Sequence, residues 1–394
     1  MDIPAFADVT IERILPGGIG LAHAEGLTVF VSLAAPGDVL RVRIDRSRGN
    51  VLFASIVEIL QPSPLRVEPP CPYFGVCGGC DFQQLKYESQ LDAKVEIIRD
   101  CLRRIAKISD STEIKIQAAP TEWHYRVRAN WQIDPATRHF GYFEAGSHRV
   151  CDVEFCAVLT PALESTLESL RRQLRAEEIS YLPKDVRAVV GQEGVSVGPA
   201  VGGFTTSEVS QTIAGETYWF NADSFFQINE GLLESLVKEA LGDASGAMAV
   251  DLYCGVGLFT LPLARRFDSV SAIEVNHRAT AFAKKNLENA GLTNAEVITS
   301  DVGHWLNEHT HWKNKDQLDF LLLDPPRTGA ENVVIKGILN FQPQHISYVS
   351  CDPATLARDL KKLMANGYAI QSIKAFDMFP QTHHVETVVH LRQA

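Results

Sequence analysis

From Ala247 onward the chain repeats one pattern: an apolar strand, a tight turn, then an amphipathic helical stretch. The strands read as Ala247–Tyr253, Val270–Val275, Glu296–Thr299, Phe320–Leu323 and Ile346–Val349, with helices after each of the first two. Strands of this kind, apolar throughout and separated by helical periods, are buried on both faces and joined by right-handed crossovers. The pattern predicts a doubly wound parallel sheet. The tail, Ala369 to Met378 and Val385 to Leu391, reads as two further strands forming an antiparallel pair at one edge.

With 394 residues and 45% hydrophobic content, the chain can form two or three domains, each with its own core. The first ~60 residues are short Val/Ile/Leu-rich strands broken by Gly17-Gly18, Gly26, Pro36-Gly37-Asp38 and Gly49-Asn50, the spacing of a small OB-like barrel. Its segment Ile14 to Ala22 resembles the TRAM domain, an RNA-binding barrel. Gln61-Pro62-Ser63-Pro64 and Pro69-Pro70 interrupt helix and strand alike. The expected organisation is therefore a barrel over 1–62, an α+β middle part over 63–218 and the parallel-sheet domain over 219–394. Within the middle part, apolar residues at helical intervals (Leu91, Val95, Ile98, Leu102, Ile105) predict a helix from Leu85 to Ala106, and a second covers ~161–176.

No apolar stretch approaches the roughly 18 residues that cross a bilayer, and Met1-Asp2-Ile3-Pro4 lacks the basic start of a signal peptide. The cytoplasm is the expected location, with no membrane contact and no obligate protein partner evident. A net charge of −11 argues against indiscriminate binding to phosphate backbones. Local basic clusters remain: Arg99, Arg103, Arg104 and Lys107 at helical spacing, and His124-Tyr125-Arg126-Val127-Arg128, where cations alternate with aromatics in a manner suited to RNA backbone contact and base stacking.

The first strand of the parallel sheet runs into Asp251-Leu252-Tyr253-Cys254-Gly255-Val256-Gly257, and Glu274 closes the next strand, where a carboxylate can accept ribose hydroxyls. A dinucleotide site would present a third glycine to bring a helix N-terminus onto the pyrophosphate. Here Leu258, Phe259, Thr260 and Leu261 follow instead. The departure favours a nucleoside cofactor without pyrophosphate, S-adenosylmethionine. Asp301 and Asp324 close the third and fourth strands, the first placed for an adenine amino group and the second for the methionine moiety or the substrate.

Asp324-Pro325-Pro326-Arg327 is followed one βα unit later by Ser350-Cys351-Asp352-Pro353. Methylating an exocyclic amine needs no cysteine, and sites built for it end Asp-Pro-Pro with an aromatic where this chain has Arg327. Methylating a pyrimidine carbon does need one: C5 of uracil becomes nucleophilic once a thiolate adds at C6. A base must then remove the C5 proton, and Glu386, a carboxylate opening an apolar strand, is the candidate. Cys71, Cys77 and Cys80 lie on a glycine-containing loop and can wrap a metal or inorganic sulfur. Their lopsided spacing differs from the paired knuckles of zinc sites.

Taken together, the TRAM-like segment, the cysteine loop, Phe225-Phe226-Gln227-Ile228-Asn229, the Asp251 to Phe259 turn, Asp324 to Arg327, Ser350 to Leu360 and His384-Val385-Glu386-Thr387 resemble the RNA uracil-5 methyltransferase family over nearly the whole chain. The resemblance implies Cys351 as nucleophile, Glu386 as base, and Gln227, Tyr253, Glu274, Asp301 and Asp324, with Gly255 of the turn, as cofactor contacts. It implies a transfer or ribosomal RNA substrate. It also implies a [4Fe-4S] cluster whose fourth ligand lies in Cys156 to Pro161, with Cys151 as the competing candidate. The chain departs from the family at Asp352 and Leu258, neither of which removes a reacting group. Two other readings stand beside this one: a methyltransferase acting on an exocyclic amine or a protein side chain, and a non-catalytic RNA-binding protein.

Overall fold

The computed structural model describes residues 5–108, 113–309 and 318–393. Strands β1 (Phe6–Thr10), β2 (Arg13–Leu15), β3 (Ile19–Ala24), β4 (Leu27–Val31), β5 (Val39–Arg48) and β6 (Val51–Gln61) form one sheet in the order β1-β5-β6-β4-β3-β2. Alternation along these strands turns Val9, Ala22, Val29, Val31, Leu40, Val42 and Leu52 into a shared core. Gly17 and Gly18, both at positive φ, make the β2–β3 turn.

The cysteine loop over 71–80 leads into α1 (Tyr87–Cys101), which continues as a π-helical turn, Leu102–Ala106. A three-residue strand, β7 (Lys115–Gln117), follows. The middle sheet comprises β8 (Arg128–Ile133), β9 (Phe140–Phe143), β10 (Val150–Asp152), β11 (Asp185–Gly191) and β12 (Gly194–Gly198), ordered β10-β9-β8-β11-β12. Helix α2 (Pro161–Arg175) lays Leu163, Leu167, Leu170 and Leu174 against Trp131, Phe140 and Val186 of that sheet. A hairpin, β13 (Val209–Ile213) and β14 (Glu216–Phe220), packs with α3 (Glu230–Leu241) into the C-terminal core.

The C-terminal part alternates β15 (Gly246–Leu252), α4 (Thr260–Ala264), β16 (Phe267–Glu274), α5 (His277–Asn289), β17 (Ala295–Thr299), α6 (Val302–Glu308), β18 (Phe320–Leu323), α7 (Asn332–Phe341), β19 (His345–Ser350), α8 (Pro353–Met364), β20 (Tyr368–Phe376) and β21 (Glu386–Gln393). A helix thus follows all five parallel strands, where the sequence pattern marked only the first two. The sheet order is β17-β16-β15-β18-β19-β21-β20-β7. All neighbouring pairs are parallel except those of β21, which runs against both β19 and β20.

The two tail strands pair antiparallel as expected, but they do not end the sheet. Strand β21 inserts between β19 and β20, and β7 from far upstream covers the outer side of β20. Val95, Ile98 and Leu102 of α1 and the turn after it join Leu356, Leu360, Ile373 and Val389 in one core. The first helix of the middle segment is therefore packed on the parallel sheet. Among the described residues, no helix is long and apolar enough to cross a membrane.

Candidate active site at the carboxyl ends of the strands

Parallel strands gather their C-terminal ends on one side of a sheet, where ligands of such folds bind. Tyr253, Glu274, Asp301, Asp324 and Cys351 all follow or end those strands. Because β21 is antiparallel, its first residue, Glu386, reaches the same side. Ser350 pairs with Thr387, so the register continued by one step sets Cys351 opposite Glu386.

Glu386 is 2% exposed, and its Oε1 has no hydrogen-bond partner among the described residues. Burial first and then the neighbouring Asp324 raise its pKa well above the carboxylate range, while Arg327 opposes the rise. Burial also raises Asp324, to about 7. The Cys351 thiol is pushed up to about 12 by burial, by Glu386 and by Asp324, again against Arg327. A thiol and two carboxyls thus gather at one poorly solvated place, with the exposed Arg327 near enough to oppose their shifts, a setting in which side chains exchange protons with a substrate. In the sequence Arg327 carries only a negative argument, the missing aromatic; in the structure its charge opposes the upward shift of both Cys351 and Glu386.

Beside this group lies the glycine turn. Tyr253 at φ 65° and Gly255 at φ 55° hold the chain in the left-handed region, and no heavy atom stands within 4 Å of where a Gly255 side chain would begin. Glu274 Oε2 accepts the Gly255 N–H at 3.2 Å, and its Oε1 accepts that of Asn276 at 2.7 Å, so the carboxylate is held at the rim of the turn. Asp251 lies beneath: it is fully buried, accepts from Thr260 Oγ1 at 2.5 Å, and is raised to about 7 by burial. Gln227 donates to Asp324 Oδ2 at 3.4 Å. Asp301 is exposed and caps α6 by accepting the His304 N–H at 2.8 Å. Asp352 does the same for α8 through Thr355 at 2.8 Å.

Cys71, Cys77, Cys80 and Cys156 line one pocket with Tyr73, Phe74, Val153, Phe155 and Arg126; Cys151, on β10, does not. Burial raises the Cys77 thiol to about 11 and the Cys80 thiol to about 12. Among the described residues, no three His, Cys, Asp or Glu side chains stand close enough to hold one metal ion.

The basic clusters differ from their sequence reading. Tyr125 is buried, its hydroxyl donating to the Pro380 carbonyl at 3.0 Å, and Arg126 lies in the cysteine pocket. Arg99 pairs with Glu96, and Arg103 and Arg104 with Asp100. Arg128 is half-buried and donates to the Ser224 carbonyl at 2.7 Å, its guanidinium 5.1 Å from the ring of Phe225, which is 62% exposed. An alternation of cations and aromatics reads alike on a surface and at a domain junction.

The fold is an open α/β sheet with its candidate site at the carboxyl ends of the parallel strands. Residues 208–394 match the tRNA (uracil-5-)-methyltransferase family, and residues 7–57 match the TRAM domain. The chain is 33% identical to the 23S rRNA (uracil(1939)-C(5))-methyltransferase RlmD of Pectobacterium atrosepticum, covering 96% of this chain and 92% of that one. It is 31% identical to an uncharacterised RNA methyltransferase of Thermosynechococcus vestitus, with 98% of each covered. The tRNA (uracil-54, C5)-methyltransferase of Pyrococcus abyssi, solved with S-adenosyl-L-homocysteine, shares the fold at a TM-score of 0.75 and 24% identity, covering 98% of this chain and all of that one. The chain belongs to the RNA uracil-5 methyltransferase family and is an RNA (uracil-C5)-methyltransferase.

Proposed function

We propose that this enzyme methylates C5 of a uridine in ribosomal or transfer RNA with S-adenosylmethionine as donor, Cys351 being the nucleophile and Glu386 the base. The observation that supports this most is the register that sets Cys351 and Glu386 opposite one another beside Asp324. The Cys351 thiolate adds to C6 of the uracil, and the electron pair of the C5–C6 bond moves onto the C4 carbonyl as an enolate. The donor supplies an electrophilic methyl group on sulfonium, which C5 takes. Glu386 then removes the C5 proton, the C5–C6 double bond re-forms, and the Cys351 sulfur leaves as thiolate. Arg327 favours the charged form of both residues.

Gln227, Tyr253, Gly255, Glu274, Asp301 and Asp324 would hold the donor. The open space over Gly255 and the half-buried Asp324 carboxyl, a natural partner for a cation, fit that assignment. Cys71, Cys77, Cys80 and Cys156 would hold a [4Fe-4S] cluster. The four thiols line one pocket, and in a polynuclear centre each thiolate would bind a different iron. Bound iron would ionise thiols that burial otherwise keeps neutral.

The test is transfer of labelled methyl to ribosomal and transfer RNA, followed by nucleoside analysis. We expect 5-methyluridine, lost by about 10³-fold or more in Cys351→Ala, and a covalent RNA–protein adduct that accumulates in Glu386→Gln. Methylation that survives Cys351→Ala would overturn the mechanism.

A further inference from the structure

The connection between β20 and β21, residues 377–385, delivers Glu386 to the site, yet among the described residues Glu386 Oε1 has no hydrogen-bond partner to fix it. Its position comes from its own backbone, which the pairing of β21 with β19 and β20 holds on one side and the connection leading to it holds on the other. Much of that connection is held from the N-terminal quarter of the chain, with the Gln117 carbonyl accepting the Asp377 N–H at 2.9 Å and the Tyr125 hydroxyl donating to the Pro380 carbonyl at 3.0 Å beside it. Lys94 of α1 pairs with Asp377, both side chains fully buried, and donates to the Phe379 carbonyl at 3.0 Å. Gln90, one turn earlier, accepts the Gln381 N–H at 2.9 Å and donates to Gln381 Oε1 at 3.0 Å. The Gln381 carbonyl accepts from Asp81 and Phe82 at 3.1 and 3.0 Å. Asp81, next to Cys80, takes the His383 N–H at 2.8 Å and holds its imidazole Nδ1 as well. Finally, Phe376, which Asp377 follows, is the cross-strand partner of Glu386.

We infer that Asp81, Gln90 and Lys94 are positioning residues for proton abstraction: by clamping residues 377–383 they set Glu386 against C5 of the substrate. The inference rests on the proposed roles of Cys351 and Glu386. None of the three residues supplies a reacting atom. Their effect belongs to the last chemical step, because these hydrogen bonds end on residues 377–383 and not on β19, which Cys351 follows. Three side chains more than 280 positions away in sequence thereby share in the chemistry of one carboxylate.

Gln90 offers the cleanest test, since it is 1% exposed and its side chain bonds only Leu85 and Gln381. Gln90→Met keeps the length of the side chain and removes all three bonds, two with Gln381 and one to the Leu85 carbonyl; Asp81→Asn is the second variant and keeps the shape at His383. Single-turnover methylation and the fraction of RNA locked in covalent adduct are read together, with thermal melting as the check on folding. The expected result is a turnover slower by about 10- to 100-fold, with adduct accumulating as in Glu386→Gln and RNA affinity unchanged. Slower turnover without adduct, or unchanged turnover in both variants, overturns the inference while leaving the Cys351 mechanism standing. No adduct in Glu386→Gln itself overturns both.

Discussion

Cys351 and Glu386 meet because one strand runs backwards. Ser350 at the end of β19 pairs with Thr387 of β21, and that register continued by one step brings Cys351 beside Glu386, whose carboxylate helps raise the thiol. Had β21 been parallel to β19, Glu386 would lie at the far end of the sheet. The antiparallel insertion therefore brings a carboxylate beside a thiol without any loop having to reach across, and rigid strands hold reacting groups more firmly than loops do.

Their proximity governs how the thiol ionises. Burial, Glu386 and Asp324 all oppose the thiolate, and the Cys351 pKa stands near 12 against about 8.5 for a free cysteine. Alkylation of Cys351 by iodoacetamide at pH 8 is expected to be at least about tenfold slower than that of a free thiol. A like charge raises a thiol pKa, so removing one lowers it. Glu386→Gln shifts the alkylation profile to lower pH, and the wild-type kcat/KM for methylation rises from pH 7 to pH 9. An alkylation profile unmoved by the substitution would mean that the two groups do not interact.

Gly255 and Gly257 lie two residues apart and should fail differently. Both have positive φ, so alanine at either costs roughly 1–2 kcal/mol of strain. At Gly255 the added methyl meets no atom, whereas at Gly257 it stands 3.1 Å from Leu261 Cδ1. Gly255→Ala is expected to weaken S-adenosylmethionine binding by about tenfold or more, which is ~1.4 kcal/mol, with a modest fall in Tm. Gly257→Ala should lower Tm further. Calorimetric titration beside thermal melting separates the two, and undiminished binding in Gly255→Ala would remove that residue from the cofactor site.

Much of this architecture is legible locally. Five apolar strands and their turns declare the parallel sheet, and Glu386 stands out as a carboxylate at the head of an apolar run. What is hidden depends on pairings across hundreds of residues. Strand β7 has only three residues, too few to show a period, so the covered edge of β20 has no sequence signal. In α1 the stripe through Leu91, Val95 and Ile98 marks one buried face, but Gln90 and Lys94 are buried too, against the 377–383 connection. A buried polar residue on a second covered face looks like a solvated one until its partner is known.

Cys156 and Cys151 give a direct contrast in the middle domain. Cys156 shares the pocket of Cys71, Cys77 and Cys80, while Cys151 does not line it. Cys156→Ser is expected to lose most bound iron and acid-labile sulfide together with the visible absorbance of the cluster, and Cys151→Ser to retain them. Equal losses in both variants, or no iron in the wild-type protein purified without oxygen, would count against the assignment.

The Lys94–Asp377 pair is the most costly interaction to break. Neither side chain reaches solvent, and burial lowers the Lys94 pKa despite the adjacent carboxylate, so the ammonium depends on Asp377 to remain charged. Lys94→Met leaves a buried carboxylate without its counter-ion and should destabilise the fold by about 3–5 kcal/mol. Adding Asp377→Leu removes that carboxylate and should restore most of the loss, because an apolar pair of similar volume needs no compensating charge. The restoration stays incomplete, since the Phe379 carbonyl no longer receives its bond from Lys94, a loss of about 1–3 kcal/mol. Denaturant unfolding of the three variants measures these differences. A single Lys94→Met variant as stable as the parent would show that water reaches Asp377, whereas a double variant that regains stability but not turnover would separate the two duties of the pair, holding the fold and holding the connection that carries Glu386.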